Sequence, residues 1–560
     1  MFVNSFASPG MTVSRLLVTS YWLLVAGCWL LLAGCYNPEK TSKKIFHYNE
    51  PTGIASLDPA FAKNQSIMWP VHQLFNTLVE IDDSLRIVPS LAERWTVSDD
   101  RLTFTFYLRD DVSFHDDAAF AGNEGRKMTA KDVEYSLSRI IDKKIASPGS
   151  WIFNSKVDSV EPFKAIDDTT FQLKLLRPYN PILGILSMQY CSIVAKEAVE
   201  EYGSDFRRHP VGTGPFQFVA WEEGQALVMK KNDHYFESDS RGNRLPYLDG
   251  IKISFYDSKA TEFLLFRQQK LDFINDIDAS FKDEILTKKG TLRKGWQGKI
   301  VLQANPYLNI EYLGILVDTT NGLVKNSPLR SKKIRQAINY GFDRRKMILY
   351  LRNSLGTAAE SGFVPMGLPS FDSLAVKGYS YNPDKSRKLL AEAGYPDGKG
   401  LPVIKLFTIS IYAEMANYIS RELEELGFAV QVETMQRALL FEMTSNSKAL
   451  FFRGSWIADY PDAENYLSVF YSKNPAPPNY TRYKNPVFDA LLEQALLEQN
   501  DSLRYKLYQQ ADQVAINDAP VIPLWYDKSV RLVQTNILGF RPNALNLLEL
   551  RKTHIADRKF

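Results

Sequence analysis

The chain has 560 residues, 45% hydrophobic and 23% charged, with 67 Lys and Arg against 64 Asp and Glu. That is globular composition with enough length for two or three domains. The near balance of charge, without a basic stripe, excludes nucleic acid as an expected partner. Aromatics make up 12%, which suits a ligand cleft and equally suits ordinary core and strand packing. Of the three cysteines, Cys28 and Cys35 fall in the N-terminal apolar segment and Cys191 stands alone in the body. No internal disulfide is expected there, and Cys191 reads as a small buried hydrophobe.

The first predicted element is residues 11–35: one charge at Arg15, an apolar run, then small residues before a cysteine. This is the pattern of a secretory signal, with residues 1–10 expected to precede a true start at Met11. A continuous membrane-spanning helix is the alternative, because the run approaches the roughly 20 apolar residues that a bilayer needs. Leu32-Ala33-Gly34-Cys35 looks like a bacterial lipobox and is followed at once by polar residues. Val25-Ala26-Gly27-Cys28 is a second candidate, but it would leave Trp29-Leu30-Leu31-Leu32 as an apolar tail. The expectation is therefore a signal peptide over 1–34 and acylation of Cys35, which holds the body to the extracytoplasmic side of the cell envelope.

Further along, Leu102 to Leu108, Phe171 to Leu175, and Ile251, Ile253 and Phe255 alternate as half-buried strands do. Thr129-Ala130-Lys131-Asp132 predicts a capping box for a helix that turns Val133, Leu137 and Ile140 inward. Asn382-Pro383 predicts another helix, with Leu389, Leu390 and Ala393 inward and Gly394 as its stop. Phe488, Leu491, Leu492 and Ala495 predict a third, and Leu503, Leu507, Val514 and Ala515 a fourth. Strands and helices alternate throughout, so the class is α/β. Gly212-Thr213-Gly214-Pro215 lacks the Lys-Ser/Thr of a phosphate loop and reads as a hinge-side turn. Pro523 to Tyr526 is expected to return the chain to the first lobe, with an aromatic bordering a cleft.

Several stretches together resemble the extracellular solute-binding proteins of oligopeptide and dipeptide ABC importers. They are Val88 to Trp95, Phe104 to Asp116, Thr129 to Val133, Gly212 to Phe216, Leu245 to Asp249, Arg335 to Ile338 with Asp343-Arg344, Leu389 to Tyr395, and Trp456-Ile457-Ala458-Asp459-Tyr460-Pro461-Asp462. The sequence departs from the family at Asp116-Asp117-Ala118, where a glycine is usual. The resemblance implies two lobes joined by a hinge, with an extra domain inserted in the first. Mapped onto this chain, lobe I is 36–75, 211–300 and 521–560, the inserted domain is 76–210, and lobe II is 301–520.

The resemblance also implies a monomeric binding protein rather than an enzyme, with no cofactor, that delivers peptides to ABC permease and ATPase subunits. In the family, the aspartate of Trp-x-x-Asp holds the ligand ammonium, which points to Asp459; a carboxylate capping backbone N–H groups is the alternative. Trp456 and Tyr460 are candidate apolar walls or core residues. Arg453 is a candidate for the ligand carboxylate, or else for an ion pair within the protein. The fold also serves sugars and nickel chelates. An exported hydrolase finds little support, since His-Glu-x-x-His and Gly-x-Ser-x-Gly are absent and the six histidines are scattered without metal-ligand spacing.

Overall fold

Two long antiparallel strands, Ile300–Ile315 and Val521–Gln534, form the spine of the protein in a computed structural model that describes Met1 and residues 43–557. The export segment, with Met11, Cys28 and Cys35, lies outside the described residues. From Ile45 onward the chain forms one compact unit, divided from Met1–Lys44.

The first lobe is built on a four-stranded sheet in the order Ile45–Asn49, Gly250–Ser254, Ala226–Lys231, Phe216–Glu222. Its first pair is parallel and the others are antiparallel. A second sheet, Ala92–Val97, Thr103–Leu108, Thr170–Lys174, Phe163–Ala165, is wholly antiparallel. The alternation predicted for 102–108 is present: Phe104, Phe106 and Leu108 are buried, and the residues between them are half-exposed. Helix Ala130–Ile141 lies against this sheet. It begins with the capping box of Thr129 and Asp132 and buries Val133, Leu137 and Ile140. Each such fully buried side chain contributes about 1.5–3 kcal/mol. Cys191 is buried and free.

Gly212-Thr213-Gly214-Pro215 packs on the end of helix Gln65–Leu74. The Gly214 N–H donates to the Leu74 carbonyl at 3.0 Å, and the Thr213 hydroxyl donates to Asn76 at 3.1 Å. A Cβ on Gly212 or Gly214 would collide with Leu74 or Phe75, so close backbone approach is the reason for both glycines.

The second lobe is organised by a seven-stranded mixed sheet in the order Phe273–Asn275, Val521–Gln534, Ile300–Ile315, Phe451–Ile457, Ile404–Ile409, Val430–Met435, with Thr357–Ala358 also on Val521–Gln534. The predicted helices are Pro383–Glu392, started by Asn382, and the adjacent pair Pro486–Leu497 and Asp501–Asp518.

The two long strands are shared between lobes. Near Ile300 and Gln534 they join Phe273–Asn275 and a core containing Phe263, Phe266 and Leu286. From Asn309 onward Ile300–Ile315 pairs with Phe451–Ile457, and both long strands enter two other cores. Expected boundaries at 300/301 and 520/521 therefore fall at the outer ends of this pair. The register slips between Pro306 and Ile310, and again between Glu311 and Tyr312, opposite Pro523. Proline has no N–H to give the ladder, which is why irregularities sit beside both prolines. Trp525 and Tyr526, which were expected to border a cleft, are buried on this strand in the second-lobe cores.

Candidate functional site

Strand Phe451–Ile457 ends beside the shared pair, and the loop that follows it is tied to Leu308. The Ala458 N–H donates to the Leu308 carbonyl at 2.8 Å, and the Tyr466 hydroxyl donates to the same oxygen at 2.6 Å. Two bonds to one backbone atom fix where the intervening residues project. Asp459 projects into a cleft of about 720 Å³ whose other walls come from residues 68–89, 187–189, 237–247 and 539–552, so both the first lobe and the segment 76–210 line it.

Buried Asn465 holds this loop from inside. Its side-chain oxygen accepts from the Trp456 indole N–H at 2.9 Å and from the Asp459 N–H at 3.3 Å, and its amide donates to Asp459 Oδ2 at 3.2 Å. Sequence reasoning missed Asn465, because an asparagine on a short helix carries no signal of what it will face. No Lys, Arg or His among the described residues pairs with Asp459. The residue is open to cleft solvent yet flanked by protein on most sides, and this exclusion of water pushes its carboxyl above the usual carboxylate range, with the Asn465 amide opposing. Backbone capping in this motif belongs to Asp462, which accepts from the Glu464 N–H at 2.9 Å, starts helix Ala463–Leu467, and pairs with Arg504 at 3.2 Å.

The other candidates are placed differently. Trp456 is half-buried against a second-lobe core and does not line the cleft. Tyr460 is 3% exposed. Its hydroxyl meets Tyr179 at 2.9 Å and bonds Glu464, so it packs the second lobe against the segment 76–210 and is not an apolar wall of the cleft. Arg453 bonds Glu311, and its guanidinium stacks 3.8 Å from the Tyr412 ring centre. It lines a separate cavity of about 60 Å³. Glu311 is 2% exposed and matches the Arg453 charge before any ligand arrives, so the geometry favours the protein ion pair over the ligand-carboxylate role.

The same cleft carries an ionic network, joining the first lobe to the segment 76–210, that sequence reasoning did not find. Arg551 donates to Glu80 at 2.8 Å, to Glu237 at 2.7 Å and to Glu549 at 2.6 Å, and His72 lies 3.2 Å from Glu549. All five groups line the cleft. Burial pushes the Glu80 and Glu549 carboxyls up, but Arg551 and His72 more than offset it and hold both below the usual range. For Glu237, burial wins over Arg551 and the carboxyl is raised.

Comparison with known proteins agrees with this architecture. The family described as bacterial extracellular solute-binding proteins, family 5 middle, matches residues 86–478. Heme-binding protein A of Haemophilus influenzae is 29% identical over 487 residues, 84% of each chain. Glutathione-binding protein GsiB of Escherichia coli O1:K1 is 27% identical over 499 residues, 87% of this chain and 90% of GsiB. Among solved structures, the ABC transporter-associated periplasmic binding protein DppA of Helicobacter pylori, in complex with the peptide STSA, superposes with a TM-score of 0.73 at 24% identity, covering 92% of this chain and 98% of DppA.

Proposed function

Because the chain belongs to the bacterial extracellular solute-binding proteins of family 5, we propose that it is the lipid-anchored receptor of an ABC importer, binding peptides in the interlobe cleft and delivering them to a membrane permease. The observation that carries this reading is Asp459, a carboxylate with no protein cation among the described residues, on the wall of a cleft large enough for a short peptide. A receptor for peptides of varied sequence grips what they share, an ammonium above all, and leaves room for side chains. Ligand bridging the two walls stabilises the closed arrangement, with bending at the register slips of the shared strands. ATP is hydrolysed by partner subunits, and Asp459, Trp456 and Arg453 serve binding or its support rather than catalysis. Mass spectrometry of the protein purified natively is expected to release a peptide. A glycan, a heme or a metal chelate in its place would redirect the reading to another solute, a direction the name of the heme-binding relative makes concrete.

Acylation at Cys35 would keep the receptor near its permease between captures, since each buried CH₂ of an acyl chain contributes about 0.8 kcal/mol. Cys35→Ser is expected to move the protein from the membrane fraction to the soluble fraction. Its retention in the membrane, with the signal uncleaved, would favour the spanning-helix alternative.

A further inference from the structure

We propose that the cleft selects ligands of net positive charge, with a second cationic group, beyond the one at Asp459, lodged against Glu237 in the network around Arg551. The proposal rests on the peptide-receptor reading of the same cleft and specifies its substrate class: peptides carrying a basic side chain.

Charge in the cleft is divided by depth. Three carboxylates, Glu80, Glu237 and Glu549, share the single guanidinium of Arg551, so with all three ionised the acidic groups of the cluster outnumber the basic ones. These groups are sheltered: the side chains of Arg551 and Glu80 are 14% and 13% exposed, and those of Glu549 and Glu237 are 26% and 27%. The remaining cations of the cleft sit at its rim. Arg541 is 79% exposed and reaches only Asp83, at 3.9 Å, while Arg241 and Lys552 are exposed as well. Rim cations are screened by water and salt, so they do not neutralise the interior.

Within the cluster the carboxylates are not equivalent. Glu80 also accepts from Ser90 at 2.8 Å and Asn76 at 3.2 Å, and Glu549 accepts twice from the Arg551 guanidinium and once from its backbone N–H, and meets His72. Glu237 lines the cleft and has one side-chain bond, from Arg551 to Oε1, so its other oxygen accepts no hydrogen bond among the described residues. A purely structural ion pair needs one carboxylate per guanidinium, whereas a half-sheltered, half-bonded carboxylate on a cavity wall gains a strong charge-assisted bond when a ligand ammonium or guanidinium arrives. Among the described residues no Lys, Arg or His of the second lobe lines the cleft to offset this.

Calorimetry on the full chain in detergent would test this, using an alanine tetrapeptide, its variants with lysine or glutamate at each of the last three positions, and reduced glutathione, which is net anionic. The best lysine peptide is expected to bind roughly tenfold tighter than the alanine peptide, and the glutamate peptides and glutathione weaker than it. High salt should shrink the lysine advantage. Glu237→Gln should narrow the lysine-to-alanine ratio to about threefold or less. Equal binding of lysine, alanine and glutamate peptides, or a ratio indifferent to Glu237→Gln, overturns the selectivity and leaves the peptide reading standing. Failure of every peptide to bind overturns both.

Discussion

Asp459→Ala is expected to abolish measurable peptide binding while leaving the fold intact. Removing a carboxylate that pairs with a ligand ammonium, once the ligand has displaced the cleft water, costs about 2–5 kcal/mol, which is roughly 30-fold to several thousand-fold in affinity. The fold should survive because Asp459 supports nothing else. Its carboxylate receives one bond, from Asn465, and that asparagine keeps its contact with Trp456. The backbone-capping duty that would make a strand-end aspartate structural is carried three residues later by Asp462. Asp459→Asn is the sharper control, since it keeps the shape and the acceptor for Asn465 and removes only the charge. Calorimetry showing unchanged affinity in either variant would remove Asp459 from the site.

The second large effect concerns stability. Arg453→Ala would leave Glu311 buried without its cation, and breaking such a pair from one side costs about 3–5 kcal/mol. Burial already pushes the Glu311 carboxyl up, with Arg453 opposing, so the carboxyl would take up a proton more readily once Arg453 is gone. Replacing both partners with neutral groups of similar volume, Arg453→Met with Glu311→Gln, should recover most of the loss in urea denaturation. The same double variant separates the two roles considered for Arg453. Peptide affinity close to that of the unaltered protein fits an internal ion pair, whereas a hundredfold fall would restore Arg453 as the holder of the ligand carboxylate.

Helices were legible where the signal was local. Thr129 and Asp132 cap Ala130–Ile141, and Asn382 caps Pro383–Glu392, because a cap and a 3.6-residue period are written within a dozen neighbouring residues. Alternating strands such as Thr103–Leu108 were legible for the same reason. The two strands that join the lobes were not. Ile300–Ile315 is buried on both faces from Leu308 onward and so shows no alternation there, and it contains Pro306, which reads as a breaker. Val521–Gln534 hides its continuity behind Pro523 in the same way. Tyr460 was open between wall and core because an aromatic beside a site has the same sequence signature in either place; its burial against Tyr179 came from a contact 281 residues away.

By itself, the sequence determined the α/β class, the helices with local caps, the family resemblance and Asp459 as the carboxylate to examine. Only the tertiary structure decided which charges are already spent. Arg453 meets Glu311 across 142 residues, and Arg551 meets Glu237 and Glu80 across 314 and 471. Caps and periods are short-range and survive reading along the chain. An ion pair depends on strand register and lobe packing, which bring distant residues within 3 Å or leave them apart. That difference separates Asp459, which has no cation among the described residues, from Arg453, which the fold has already paired.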